Sequence, residues 1–283
     1  MNAAVPVARR AGVLQEFGKL GAFLRRDLLI AWSYRSAFLS DLVALIAQAV
    51  LFYFVGLMVD PTKMPQYGGT RTSYMAFVVV GIAITSLLNV GVGRMIAVLR
   101  NEQLMGTLES LFLTPTRPTT IQLGLVLFDL VHIPIRMAAI LALSVVVFGV
   151  EFRPAGLLPA TAIVAVFIPF VWGLAATSAA AVLVFRRVTG LLGLGALALT
   201  VASGTYFPLD LLPGSLRWSG RFNPVAIALT GVRAALIGGV GWEHLGPQIL
   251  LLAPMSAATL AAGVYTFRLA LEKERRAGTL GIY

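Results

Sequence analysis

Asp129, His132 and Arg136 stand at spacings of three and four within one apolar stretch, Thr120–Val150. On a helix those spacings place all three on one face. Asp129 lies about ten residues into the stretch, near mid-bilayer for a spanning helix that rises 1.5 Å per residue. Ionisable groups at that depth are costly and normally face protein or trapped water. Three chemistries suit the arrangement. It is a polar strip on a permeation path or subunit interface, an internally paired structural strip aided by a carbonyl freed at Pro134, or a proton relay.

A second set of carboxylates lies in a polar connection, Arg100 through Pro115. Read as a helix, it puts Leu104, Leu108, Leu111 and Phe112 on one face, with Glu102 and Glu109 two turns apart on another. Gly106 leaves room for a second backbone, and Pro115 ends the run. The expectation is an amphipathic cytoplasmic helix over about residues 100–115. It either caps the inner ends of its neighbours or docks onto a partner.

Other chemistries are excluded. With no cysteine in 283 residues there is no thiolate metal site and no disulfide. The only histidines, His132 and His244, are too few and too far apart for a zinc site, so no metal is expected. A phosphate-cradling loop needs Gly-Lys-Ser/Thr. Of three lysines only Lys19 follows a glycine, and Leu20 comes next. The acidic residues are scattered, with no clustered catalytic set.

The elements that position these residues are set by apolar length. Charged residues make up 12% of the chain, against about 25% in a soluble domain, and mean hydropathy is +0.88. Six stretches can each cross the hydrocarbon core: Phe38–Val59, Tyr74–Leu99, Thr120–Val150, Leu157–Phe185, Val188–Phe207 and Leu245–Phe267. Lipid offers backbone groups no partner, so each must be helical. They are too long and too uniformly apolar for barrel strands. The fold class is an all-α integral membrane protein. Residues 1–35 form a cytoplasmic N-terminus with an amphipathic helix, 36–267 the six-helix domain, and 268–283 a cytoplasmic tail.

The amphipathic helix is Val13–Tyr34, where Leu14, Phe17, Leu20, Leu24 and Leu28 recur at spacings of three and four. It lies in the membrane interface or extends the first span inward. The first long apolar run begins near Ser36, later than a cleavable signal peptide would place it.

Orientation follows from Lys and Arg. With the N-terminus inside, fifteen basic residues lie on the inner side and six outside, with Arg136 inside a span. Both termini are therefore expected in the cytoplasm. The net charge of +10 is dispersed at the ends of apolar segments. That suits an anionic leaflet rather than nucleic acid. Aromatic residues near the span ends, including Trp32, Tyr34, Tyr67, Tyr74, Tyr206, Trp218 and Trp242, read as interface anchors. Gly190, Gly193 and Gly195 read as sites of close helix packing.

The outer connection Pro208–His244 is long and apolar, with Leu209, Leu211, Leu212, Leu216, Phe222, Ile227 and Leu229. Such a segment is expected to dip back into the membrane as short re-entrant helices. Pro208, Pro213 and Pro224 punctuate them, and Asn223 before Pro224 suits a helix start.

Glu102, Gly106-Thr107-Leu108-Glu109 and Pro115 resemble the signature between the second and third spans of type-2 ABC exporter permeases. Ser203-Gly204-Thr205-Tyr206-Phe207-Pro208-Leu209, Leu212-Pro213, Asn223-Pro224 and Arg233 resemble the same family's end of span five and its re-entrant helices. The two motifs occur about a hundred residues apart in the expected order, and the layout agrees over nearly the whole chain.

The resemblance implies that Glu102, Gly106, Thr107, Leu108 and Glu109 belong to a coupling helix docking on a separate ATPase. A shorter coupling element would follow span four, at Phe185-Arg186-Arg187-Val188-Thr189. It implies a partner ABC ATPase in two copies, holding the ATP and Mg that this non-catalytic chain does not bind. A second permease copy or a related chain would complete the path, in the lipid of a prokaryotic plasma membrane. Drugs, lipids and glycoconjugates are among the substrates implied. The rival reading is an ion-coupled secondary transporter using Asp129, His132 and Arg136. It predicts inverted repeats, and no convincing repeat is visible.

Overall fold

A computed structural model describes residues 13–33, 35–106, 118–185, 188–211, 214–217 and 219–277. The side chains of some further helical residues, Asp129 among them, also lie outside the described set.

The order is α1 (Val13–Ser33), α2 (Arg35–Met58), a two-stranded hairpin of β1 (Gln66–Tyr67) and β2 (Thr70–Arg71), α3 (Tyr74–Leu104), α4 (Pro118–Phe148), α5 (Leu157–Val184) and α6 (Thr189–Val201). Two single-turn helices follow, α7 (Gly214–Arg217) and α8 (Ser219–Phe222), then α9 (Pro224–Leu236) and α10 (Trp242–Ala277). Among the described residues, three helices are long and apolar enough to cross a membrane: Tyr74–Glu102, Pro154–Val184 and Trp242–Glu274. Shorter apolar helical stretches cover Ile46–Met58, His132–Phe148, Thr189–Val201 and Pro224–Leu236.

The core gathers around α3. Phe77, Val78, Val79, Val80, Ile84, Leu87 and Leu88 are all buried, and α3 packs against α4, α5 and α9. The most extensive helix pair is α5 with α10. Small residues make it possible: a β-carbon on Gly173 would strike the backbone of Thr259 and Leu260, and one on Gly263 the backbone of Gly173. Close backbone approach through small residues is how helices associate where lipid removes the hydrophobic drive.

Loops sort to two ends. At one end Arg153 donates its N–H to the Leu236 carbonyl at 2.7 Å, and its guanidinium reaches Thr70 Oγ1 at 3.2 Å. The hairpin, the α4–α5 loop and the end of α9 are thus bound together. Glycine ends both α4 and α9 alike. Gly149 and Gly239 take φ of +64° and +66°, and Val150 and Val240 donate back to Ser144 and Ala234, closing the helix-terminating loop of a Schellman motif. The opposite end carries α1, the end of α3 and the start of α6.

Three boundaries differ from expectation. The fifth apolar stretch forms only thirteen residues of helix, a rise of about 20 Å, short of the roughly 30 Å hydrocarbon core. After Val201 the chain turns, because Gly204 takes φ +73° and Ser203 and Thr205 bond through their hydroxyls at 2.8 Å. At the other end, Arg100–Leu104 form the last turn of α3 rather than opening a new helix. Gly106 at φ +69° ends that run, and Leu108, Glu109, Leu111 and Phe112 lie outside the described residues. Finally, α1 packs mainly across α4, as a helix separate from α2. Its packed face includes Leu20, Phe23, Leu24 and Asp27, while Leu28 is exposed. The apolar stripe is thus one turn shorter than its spacing suggests.

Candidate functional site

The first cluster forms at the α1 end. Glu102 in the last turn of α3 lies 3.6 Å from Arg26 of α1, and Arg26 also bonds its neighbour Asp27 at 2.9 Å. Asp27 is buried and Glu102 mostly so. Two residues before Glu102, Arg100 donates to Thr189 Oγ1 at 3.4 Å, and Thr189 opens α6. Phe23 of α1 presses on Gly124 of α4, where any side chain would collide with the ring. Four helices therefore meet around the point at which the chain leaves α3. Gly106 stands just beyond, with open space where its β-carbon would be. Glu102, which the resemblance assigns to a coupling helix, thus has Arg26 of the same chain as an ion-pair partner. Thr107, Leu108, Glu109, Arg186 and Arg187 lie outside the described residues.

The second cluster is at the opposite end and centres on Arg233. Its Nε donates to the Phe77 carbonyl at 3.1 Å, Nη1 to Gly204 at 2.9 Å and Nη2 to Thr205 at 2.9 Å. The guanidinium lies over the Phe77 ring, 3.4 Å from its centroid. Arg233 is buried, and among the described residues no carboxylate pairs with it. A buried cation persists only where its donors are met, and here backbone oxygens of α3 and the post-α6 turn meet them. Gly81, one turn along α3, keeps the cage closed: a β-carbon there would strike the Thr205 oxygen and Arg233 Nη2. The Tyr67 hydroxyl lies against the guanidinium. Burial raises its pKa above the ordinary value, while the Arg233 charge pulls the other way.

Asn223 closes the same region. Its Oδ1 accepts from Val225 N at 3.0 Å, capping α9 with Pro224 in the first turn. Its Nδ2 donates to the Leu199 carbonyl of α6 at 3.2 Å. Pro208 is buried beside this turn, and Pro213 lies outside the described residues. The sequence reading named Asn223 and Pro224 but gave Arg233 no task of its own. The signal was present: Arg233 is the one charged residue in the apolar helix Pro224–Leu236.

The α4 strip is partly described. His132 stacks on Phe128 with centroids 5.3 Å apart. His132 and Arg136 are half-buried, and both have partners. Asp129 belongs to α4, but its side chain is outside the described set.

Several aromatic residues have tasks besides anchoring. Tyr206 stacks on Phe52 of α2 at 5.3 Å, and Tyr74 abuts Gly56. Trp32 and Trp242 are exposed. Gly190, Gly193 and Gly195 on α6 meet nothing within 4 Å, so among the described residues they mediate no close packing. Beside them Leu191, Leu194 and Leu197 are exposed, as are Val43, Leu51, Phe54 and Leu57 on α2.

Residues 19–237 match the family model described as ABC-2 type transporter. The match runs from α1 to the end of α9. No curated protein matches the sequence.

Proposed function

The chain belongs to the ABC-2 type transporter family as a multi-pass membrane permease, and from that membership we propose that it is the path-forming subunit of an ATP-driven exporter. In this reading six helices span the bilayer, with α6 completed by the turn after Val201, and both termini are cytoplasmic. Helices α7 to α9 form the external re-entrant region. The chain is itself non-catalytic, and two copies of a separate ATPase bind ATP and Mg below it.

The observation that carries the reading is the Arg100–Thr189 bond at 3.4 Å. It brings the connection after α3 and the connection before α6 to the same end of the molecule. Those are the two segments whose sequences resemble coupling elements. Glu109, Thr107, Leu108, Arg186 and Arg187 belong to them, and Gly106 releases the first from α3. ATP-driven closure of the ATPase pair would press both segments together and shift the path from inward-open to outward-open. A second permease copy, or a related chain, would cover the exposed faces of α2 and α6. On α4, which packs against α1 and α3, Asp129, His132 and Arg136 would belong to the translocation path or to an interhelical polar strip; the half-buried His132 and Arg136 support this reading. Drugs, lipids and glycoconjugates remain the candidate substrates.

The test is co-purification. Glu109→Ala and Arg186→Ala/Arg187→Ala should insert and express as wild type, yet lose ATPase capture and substrate-stimulated ATP hydrolysis in reconstituted membranes. Wild-type capture and hydrolysis in both variants would refute the coupling assignment.

A further inference from the structure

Helices α4 and α5 are consecutive in the chain and joined by only eight residues, 149–156. Neighbours so closely tethered normally pack side by side. Here each packs on α3 instead, and among the described residues they make almost no contact with each other. The gap between them is a cleft of about 560 Å³, within the roughly 300–1,000 Å³ typical of ligand pockets. Its walls are apolar, lined by Ala138, Leu141 and Ala142 of α4 and by Ala160, Val164 and Ala165 of α5.

One charged residue lines the cleft, Arg153 at its mouth. Arg153 is held in place. Its N–H is bonded to Leu236, its stem runs against Gly239, and one guanidinium nitrogen donates to Thr70. The other guanidinium donors have no protein partner among the described residues, and the residue is exposed. Arg153 also lines a second, more polar cavity of about 670 Å³ next door, with Arg71, Glu151, Ser73 and Tyr74. The two cavities share Phe152, Arg153 and Pro154. The two adjoin at Arg153, an oily slot on one side of a fixed guanidinium and a less apolar chamber on the other. The charges lining the chamber are two arginines and one carboxylate, a net positive site that a single negative charge balances.

We propose that this site holds an anionic phospholipid, one acyl chain lying between α4 and α5 and the phosphate at Arg153. Arginine presents a planar fork that matches phosphate oxygens and leaves its charge only weakly hydrated. Glu151 would accept from hydroxyl groups of a polyol headgroup. The acyl slot is lined by α4, α5 and α9, whereas the faces assigned above to a second copy belong to α2 and α6; the chamber beyond the slot reaches α2 at Tyr53, Gly56 and Leu57. The bound lipid would fill the space between two helices that, among the described residues, scarcely touch each other.

The experiment needs neither ATP nor the ATPase, so its outcome is separate from that of the coupling assignment. The full chain is reconstituted in vesicles of equal phosphatidylglycerol and phosphatidylcholine and re-extracted in mild detergent. The phospholipid retained per protein is then measured by mass spectrometry. Wild type should keep phosphatidylglycerol several-fold over phosphatidylcholine. Arg153→Gln should abolish that preference, and Arg153→Lys should restore part of it. Ala142→Phe, which fills the slot from an exposed position, should lower retention of both lipids. Equal retention of the two lipids by wild type, or a preference that survives Arg153→Gln, would overturn the proposal.

Discussion

Arg233 Nη2 donates to the main-chain oxygen of Thr205 at 2.9 Å, and that oxygen is the atom a β-carbon on Gly81 would strike. One contact therefore joins α9, the turn after α6 and the first turns of α3. Removing the guanidinium leaves the Gly204 and Thr205 carbonyls buried without donors, at about 1–3 kcal/mol each. Arg233→Gln should lower the thermal midpoint of the detergent-solubilised protein sharply. Arg233→Lys should recover only part, because an ammonium cannot reproduce a fork to three oxygens. Gly81→Ala should resemble Arg233→Gln, and the double variant should be little worse than either alone, since both break the same contact. Additive losses in melting experiments would show that the two residues act separately.

Tyr67 gives the same cluster a pH signature. Burial raises its pKa in the folded chain above the ordinary value of 10.0, so the folded state favours the protonated phenol. The unfolded chain then releases this proton at lower pH than the folded one. The contribution to stability is complete below about pH 10 and is lost as pH rises toward the folded pKa. Ionisation of Tyr67 should leave melting midpoints unchanged from pH 6 to 9 and lower them above pH 10. Tyr67→Phe should flatten that fall while costing about 1 kcal/mol at neutral pH for the lost contact with Arg233.

At the α1 end, the Arg26–Glu102 pair predicts a charge-swap result. At 3.6 Å, with Arg26 partly exposed, solvent screening limits the pair to below about 1 kcal/mol. Stability should thus change little in Glu102→Gln. If the pair fixes α1 against α3, then Arg26→Glu and Glu102→Arg should each reduce transport, and the double swap should recover much of it. A double swap as poor as its parents would mean that neither charge acts through the other.

What could be read from sequence divides by physical cause. Apolar length places α5 closely, at Leu157–Val184 against an expected Leu157–Phe185, but not the polar end of α10, which runs on as helix to Ala277 past the expected Phe267. It also gives the Asn223-Pro224 start of α9, because a cap is a local property of adjacent residues. It overruns at α6, where hydropathy continues through Ala202 and Tyr206 but the backbone turns at Gly204 to offer its carbonyls to Arg233, 29 residues away. Long-range pairing of that kind leaves no periodic trace. The Arg26–Glu102 contact was hidden for the same reason, as its partners are 76 positions apart. The α4–α5 cleft was hidden because periodicity marks an apolar face without saying whether protein or lipid covers it.

Gly106 offers the sharpest separation of backbone from side chain. Its φ of +69° lies where side-chain-bearing residues are strained by roughly 1 kcal/mol or more, with asparagine the best tolerated. Met105 N still bonds Asn101 O at 2.9 Å, so α3 ends within one residue of the glycine. Among the described residues no atom lies within 4 Å of the place a β-carbon would occupy, and crowding by them does not explain a glycine there. Two requirements remain, the left-handed turn and room for another molecule. Gly106→Asn should keep the turn while adding a modest side chain. Gly106→Val should oppose the turn through its β-branch and favour continuing α3, so that the following connection leaves in a different direction. If only the turn matters, the asparagine variant should capture the ATPase and transport like wild type while the valine variant fails. If close approach of a partner backbone also matters, both should lose capture while retaining normal insertion and melting behaviour. Wild-type capture and transport by both variants would show that neither the turn nor the open space at Gly106 takes part in coupling.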